Sequence, residues 1–227
     1  MLLQDFINKL KLIKAKSYIQ TKRKGPTGIG YTLETLLEIK ENNIALPDLE
    51  IAELKARRSN SQSMITLFTF NRKVWKINPM EAINKYGSYD QNGRKGLYYT
   101  MSLKPNGAGL FLEVLDTEIS VRHISGEIVA TWQMESLVES FVKKFPALIL
   151  VTAQTEERDG LEYFYYDRAM LMEGTNPHIL ANQFREGNIL VDLRFRIENN
   201  VDFDQTSLKV FDKYSYFSFK NIKDLGI

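Results

Sequence analysis

Pro47-Asp48-Leu49-Glu50-Ile51-Ala52-Glu53-Leu54-Lys55 is the stretch on which the reading of this chain turns. It follows a polar break at Asn42-Asn43, and its apolar residues alternate with polar ones, as a strand from Leu49 to Ala56 requires. Period two puts Leu49, Ile51, Glu53 and Lys55 on one face, so an apolar face ends in two charges. Asp48 stands at the entrance to the strand, where a twist brings its carboxylate beside that of Glu53. Two acids so placed repel unless a cation lies between them. Magnesium suits the place, because it takes hard oxygen ligands, keeps several waters and can share substrate phosphate oxygens. Lys55 points the same way, and its ammonium can orient an attacking water or neutralise charge developing on a phosphate. Taken alone, the spacing fits cross-strand ion pairs on an exposed strand better, and the context of the basic glycine turn and the Glu34 helix before it is what favours chemistry.

Upstream lies Lys24-Gly25-Pro26-Thr27-Gly28-Ile29-Gly30, then a helical pattern through Leu33, Leu36 and Leu37 that carries Glu34 as a third acid. The glycines do not form a nucleotide P-loop, since Tyr31 stands where lysine is required, and they do not follow a buried strand as a dinucleotide fingerprint would. Two readings remain for the turn: a plain tight turn with a helix cap, or a backbone nest whose amides, Thr27 and Gly28 among them, hold a DNA phosphate beside Lys22, Arg23 and Lys24. Glu34 in turn lies near a buried face or is an exposed first-turn glutamate favoured by the helix dipole. Residues 1–24 hold seven basic groups against Asp5, a local charge of +6, and the rest of the chain carries −4. A basic segment on an acidic body localises phosphate contacts, although Leu3, Phe6, Ile7, Leu10 and Ile13 also mark residues 2–18 as an amphipathic helix with its lysines in solvent.

The 227 residues contain no cysteine, which excludes zinc fingers and thiol catalysis, and 44% hydrophobic residues suffice for a core without disulfides. The longest apolar run, Phe145 to Ala153, is far too short to span a bilayer, and the lysine-studded first helix is no signal peptide, so a cytoplasmic location is expected. Further strands are expected at Met64–Phe70, Leu97–Leu103, Leu110–Leu115, Ile119–Ile124, Ile128–Trp132, Leu148–Ala153, Tyr163–Met172 and Ile189–Ile197. Helices are expected along Met134, Leu137, Val138, Phe141 and Phe145 and from Pro177, with residues 71–96 irregular. This is a mixed α/β pattern with no repeat and no long linker.

The ordered succession of these motifs resembles the MvaI/BcnI type II restriction endonucleases, related in fold to the mismatch-repair nicking enzyme MutH. The resemblance runs through T-K-R-K-G-P-T-G-I-G-Y-T-L-E-T-L-L-E (residues 21–38), P-D-L-E-I-A-E-L-K (47–55) and T-L-F-T (66–69). It continues more loosely at Asn84-Lys85-Tyr86-Gly87 with Asp90 and Gly93, Leu112-Glu113-Val114 and Val191-Asp192-Leu193-Arg194.

The resemblance implies that Asp48 and Glu53 ligate Mg2+, that Lys55 is the catalytic lysine and Glu34 an additional active-site acid, and that the reaction is phosphodiester hydrolysis. It implies a restriction-endonuclease-like core, a mixed sheet flanked by helices, in a two-lobed clamp around double-stranded DNA. The catalytic lobe would cover about residues 1–95, and the recognition lobe with shared core about 96–227. Similar enzymes act as monomers, cut one strand at a time and are encoded beside a cognate DNA methyltransferase. The chain departs from the pattern near its end. Members carry a His-Asp-His-Gly-type segment that helps read bases, whereas Phe211-Asp212-Lys213-Tyr214-Ser215-Tyr216 stands here, so the family's CC-x-GG-like targets are not carried over. His123 and His178 are read as ordinary partly buried side chains. Arg194 and Arg196 share a face of one strand. They either present two forks to a groove for base reading, favoured for Arg194 where the resemblance falls, or belong to a surface strand with cross-strand salt bridges. Lys213 and Tyr214 are further, weaker candidates. Arg72 to Lys76 and Asn92 to Lys95 are expected to touch the DNA backbone. Two competing functions are a MutH-like, partner-activated nicking endonuclease and a DNA-binding protein without cleavage.

Overall fold

The computed structural model describes residues 1–39, 52–61, 64–69, 74–144, 146–198, 201–204, 207–211 and 219–227. Asp48, Lys213, Tyr214, Arg72, Lys73, Phe145 and the break at Asn42-Asn43 lie outside the described residues.

The chain divides into two compact units and crosses between them four times. The first comprises residues 1–62, 142–174 and 219–227, the second residues 63–141 and 175–218.

In the first unit, α1 (Leu3–Ala15) buries Phe6, Leu10 and Ile13, the i, i+4, i+7 stripe of its sequence. It stops three residues short of the expected Tyr18 because Ser17 takes a left-handed φ of 58°, and the Lys16 and Ser17 amides close on Ile13 and Lys14 carbonyls. β1 (Ile19–Gln20) follows, then α2 (Gly28–Leu36), with Ile29, Thr32 and Leu33 buried. β2 (Glu53–Arg58) runs two residues beyond the expected Ala56. β9 (Ala147–Arg158) and β10 (Leu161–Glu173) form a long hairpin across Asp159-Gly160, whose φ values of 51° and 71° are the two left-handed residues of a type I′ turn. β14 (Asn221–Asp224) completes a sheet ordered β1-β10-β9-β2, with β14 on β10. Only β2–β9 is parallel, so the sheet is mixed. α1 and α2 cover one face through Phe6, Leu10, Ile29 and Leu33 packed on Leu54, Ile149, Val151, Phe164 and Tyr166.

In the second unit, β3 (Met64–Thr69), β4 (Ser88–Tyr89), β5 (Lys95–Met101), β11 (Ile189–Glu198) and β13 (Ser207–Phe211) form a sheet ordered β3-β13-β11-β5-β4, with β12 (Val201–Asp204) on β11. β6 (Leu110–Val114), β7 (Glu118–His123) and β8 (Ile128–Gln133) make the expected meander, while β5 leaves it to pair with β11. Residues 71–96 are not wholly irregular as expected. They contain α3 (Pro79–Tyr86), capped by the Asn78 side chain accepting from the Met80 amide with proline at the first turn. α5 (Pro177–Arg185) repeats the device with Asn176. α4 (Met134–Lys144) carries buried Met134, Leu137 and Phe141. Among the described residues no helix is long and apolar enough to cross a membrane.

Candidate active site

Strand alternation fixes which side chains β2 offers. Ala52 and Leu54 are buried in the core beneath α1 and α2, so Glu53, Lys55 and Arg57 project from the other face of the sheet. A slip of one residue would drive Glu53 into that core, which makes Leu54 the residue that sets the register. Glu53 is 2% exposed, and its Oε1 accepts a hydrogen bond from Lys55 Nζ at 2.9 Å. Lys55 keeps a third of its side chain in solvent. β9 holds the pair from one side, with buried Leu148 and Leu150 in register with Glu53 and Lys55. Among the described residues β2 is an edge strand of this sheet.

Glu34 comes from α2, which packs on the opposite face of the sheet from Glu53 and Lys55. Its Oε1 lies 3.7 Å from where a Cβ on Gly30 would fall, and its charge acts on the Tyr166 hydroxyl. Burial pushes that hydroxyl far above the tyrosine range, Arg58 opposes the shift, and Glu162 and Glu34 add to it, so Tyr166 stays a protonated donor and bonds the Ile29 carbonyl at 2.8 Å. The structure thus brings Glu53 and Lys55 together and sets Glu34 across the sheet from them. Among the described residues no group of three or more His, Asp or Glu side chains gathers to hold a metal ion, and the expected second ligand, Asp48, is not among those residues.

The glycine turn is anchored through its carbonyls. The Thr21 hydroxyl donates to the Arg23 carbonyl at 2.7 Å, the Gly28 amide to Gly25 O at 3.0 Å, and Arg58 to Pro26 O at 3.1 Å and Gly25 O at 3.2 Å. Gly28 has no alternative residue, because a Cβ there would overlap the Arg23 carbonyl. Gly25 supplies the left-handed φ of 89°. Thr27 begins α2 without a side-chain cap and is exposed, as are Lys22 and Lys24. The Lys22 amide donates to Thr32 Oγ1, and the Arg23 guanidinium stacks over the Tyr31 ring, 3.7 Å from its centroid. One flank of the turn, at Thr21, Lys24 and Gly25, lines a cavity of about 400 Å3 whose far wall is the acidic hairpin tip with Glu156, Glu157 and Glu162. Those carboxylates disfavour an anion on that flank. Not every lysine of the basic segment is available: Lys9 closes α2 by donating to Leu37 O and Glu38, and Lys14 donates to Asp167 O and Ile227 O.

In the second unit Arg194 lies on β11, 42% exposed, with Nη2 2.9 Å from Oδ1 of buried Asp192, which also accepts from Thr100 Oγ1 at 2.7 Å. Arg196 follows at the register position opposite Gly96 and Phe203. Of the residues expected to touch DNA backbone, Arg94 pairs with Asp90 at 2.8 Å and Lys95 donates to Asn84 O, both inside the unit. The histidines are local: His123 stacks on Tyr86 and bonds Ser125, and His178 bonds Asn182. The sequence reading passed over Arg57, 7% exposed and donating to Ser61 O, and Arg58, paired with Glu162 at 2.5 Å. The cue was present in Lys55-Ala56-Arg57-Arg58, a basic run too long for an ordinary solvent-facing alternation.

The model of the MvaI/BcnI restriction endonuclease family matches residues 7–223. Among solved structures the chain is similar to the complex of restriction endonuclease MvaI with its cognate DNA substrate, with a TM-score of 0.80, 22% identity and 99% of each chain covered. It is also similar to MvaI in the absence of DNA, with a TM-score of 0.60, 22% identity, and 98% of this chain and 97% of that one covered. No curated protein sequence matches the chain.

Proposed function

The chain belongs to the MvaI/BcnI restriction endonuclease family, and from that premise we propose that it is a Mg2+-dependent, sequence-specific endonuclease of double-stranded DNA that works as a monomer and cuts one strand at a time. The observation that carries this reading is the buried Glu53 carboxylate bonded to half-exposed Lys55 on an edge strand. The similarity to an MvaI–DNA complex supports duplex DNA as the ligand. The carboxylate donors fit a hard cation: Glu53 with Asp48 would hold Mg2+, and a backbone carbonyl would complete the protein's share. Bound there, the metal supplies Lewis-acid stabilisation of charge on the scissile phosphate.

The chain's own residues do the rest. Lys55 Nζ, fixed by its bond to Glu53, orients an attacking water and neutralises charge developing on the phosphate. Glu34, carried by α2, is the additional acid of the site. Lys22, Arg23 and Lys24, with the backbone at Thr27 and Gly28, hold a neighbouring phosphate at the turn. The unit that carries Glu53 and Lys55 is the catalytic lobe. The other reads bases, through Arg194 and Arg196 as forks for guanine, with Lys213 and Tyr214 alongside. A DNA methyltransferase encoded nearby would protect the host's own sites.

The test is to incubate the protein and Lys55→Ala with magnesium and a large unmethylated DNA of mixed sequence and to sequence the new ends. Discrete ends sharing a short motif, made by the wild type alone, are expected, with nicked DNA as an intermediate. DNA left intact by the wild type would overturn autonomous cleavage.

A further inference from the structure

The carbonyl anchoring of the glycine turn has one centre. Arg58 gives Nη1 to Pro26 O and Nη2 to Gly25 O, while Nε and Nη2 grip the two carboxylate oxygens of Glu162 at 2.5 and 2.6 Å. Its guanidinium also lies over the Phe164 ring. The fork is thereby saturated on both edges, which lysine could not reproduce with a single rotating ammonium. Arg58 stands three residues beyond Lys55 on the same continuous strand, so one side chain ties the turn to the strand that carries the catalytic lysine. The carbonyls of residues 25 and 26 bond Arg58 and that of residue 29 bonds Tyr166, so the turn and the start of α2 are held by their carbonyls, with the Thr27 amide of the Pro26–Thr27 peptide on the edge away from Arg58.

We propose that Arg58 is a positioning residue for DNA: clamped by Glu162, it holds the Lys22–Gly28 turn at a fixed distance from Lys55, so that one DNA phosphate on the turn sets where the scissile phosphate meets the lysine. The inference rests on the reading of the turn as a phosphate site. Arg58 touches no DNA itself and acts through the turn.

The second unit contains a control of the same construction. Arg122 grips both oxygens of Glu113 at 2.7 Å and reaches the Gly126 carbonyl at 3.2 Å, far in sequence from the turn. The experiment measures binding of a mixed-sequence linear duplex with chelator present, as a function of salt, together with thermal melting. Arg58→Met is expected to weaken binding about tenfold and to lower the slope of log affinity against log salt by about one, the signature of one lost phosphate contact. Arg122→Met is expected to lower the melting temperature comparably and leave affinity and slope at the wild-type values. Arg58→Lys and Glu162→Gln should fall between wild type and Arg58→Met, and they carry the test if Arg58→Met does not melt cooperatively. A wild-type slope in the Arg58 and Glu162 variants, with a reduced slope when Lys22, Arg23 and Lys24 are all replaced by alanine, overturns the role of Arg58 and leaves the phosphate site standing. A wild-type slope in the triple variant as well overturns the phosphate site, and the inference falls with it.

Discussion

Each of the two units carries a buried acid bonded to a half-exposed base two residues further along a strand. On β2 the pair is Glu53 and Lys55, and on β11 it is Asp192 and Arg194, each closed at 2.9 Å. The local grammar is the same and the surroundings differ. β2 is an edge strand among the described residues, with one neighbour, whereas β11 has β5 on one side and β12 and β13 on the other, and its acid is pinned by Thr100. The bases differ as well. Lysine is a compact charge on a flexible stem that can exchange a proton, while arginine is a fixed planar fork that cannot. An acid-x-base strand motif is thus a way of aiming a cation, and on the proposed function the kind of cation separates the pair that does chemistry from the pair that reads bases.

The sharpest way to break this comparison is to exchange the bases. Lys55→Ala should lower cleavage by about a thousandfold or more while DNA binding persists, and Lys55→Arg should do nearly as badly, because a planar guanidinium does not take the place of a compact ammonium beside Glu53. Cleavage near the wild-type rate by Lys55→Arg would show that charge alone suffices at β2. Glu53→Gln comes next: it should move the magnesium titration of cleavage up by about tenfold to a hundredfold, and an unchanged titration removes Glu53 from the metal. Arg194→Lys should cost roughly 1–3 kcal/mol of affinity for the cognate duplex and relax selectivity at one base pair, read by end sequencing of partial digests. Equal loss on cognate and random DNA would make Arg194 a backbone contact instead. The smallest effect is expected from Thr100→Val, which strips a hydrogen bond from buried Asp192. It should destabilise the fold by about 1–2 kcal/mol in denaturant titrations with little change in cleavage chemistry.

Much of this was legible because alternation and helical stripes report burial directly. Leu54 between Glu53 and Lys55 is enough to place the pair opposite the core, and Phe6, Leu10 and Ile13 are enough to place α1. What escaped was contributed from far along the chain. Nothing local to Arg58 says that Glu162 and the carbonyls of Gly25 and Pro26 will meet it, and nothing local to Lys14 says that Asp167 and Ile227 will. α3 was missed differently: its Asn-Pro start is a clear helix signal, masked by the basic and aromatic residues before it. Ser17, a non-glycine residue at positive φ, ends α1 without any glycine to announce it.

The parallel pairing of β2 with β9 joins Glu53 to Leu148 across about ninety-five residues. A ribosome adds roughly 5–20 residues per second, so β2 leaves it several seconds before its parallel neighbour β9 exists. During that interval Glu53 and Lys55 are chemically mute in the nascent chain, since the sheet that buries one and aims the other has not closed. Cutting competence therefore arrives late in synthesis, after most of the second unit has emerged and once the β9–β10 hairpin is in place.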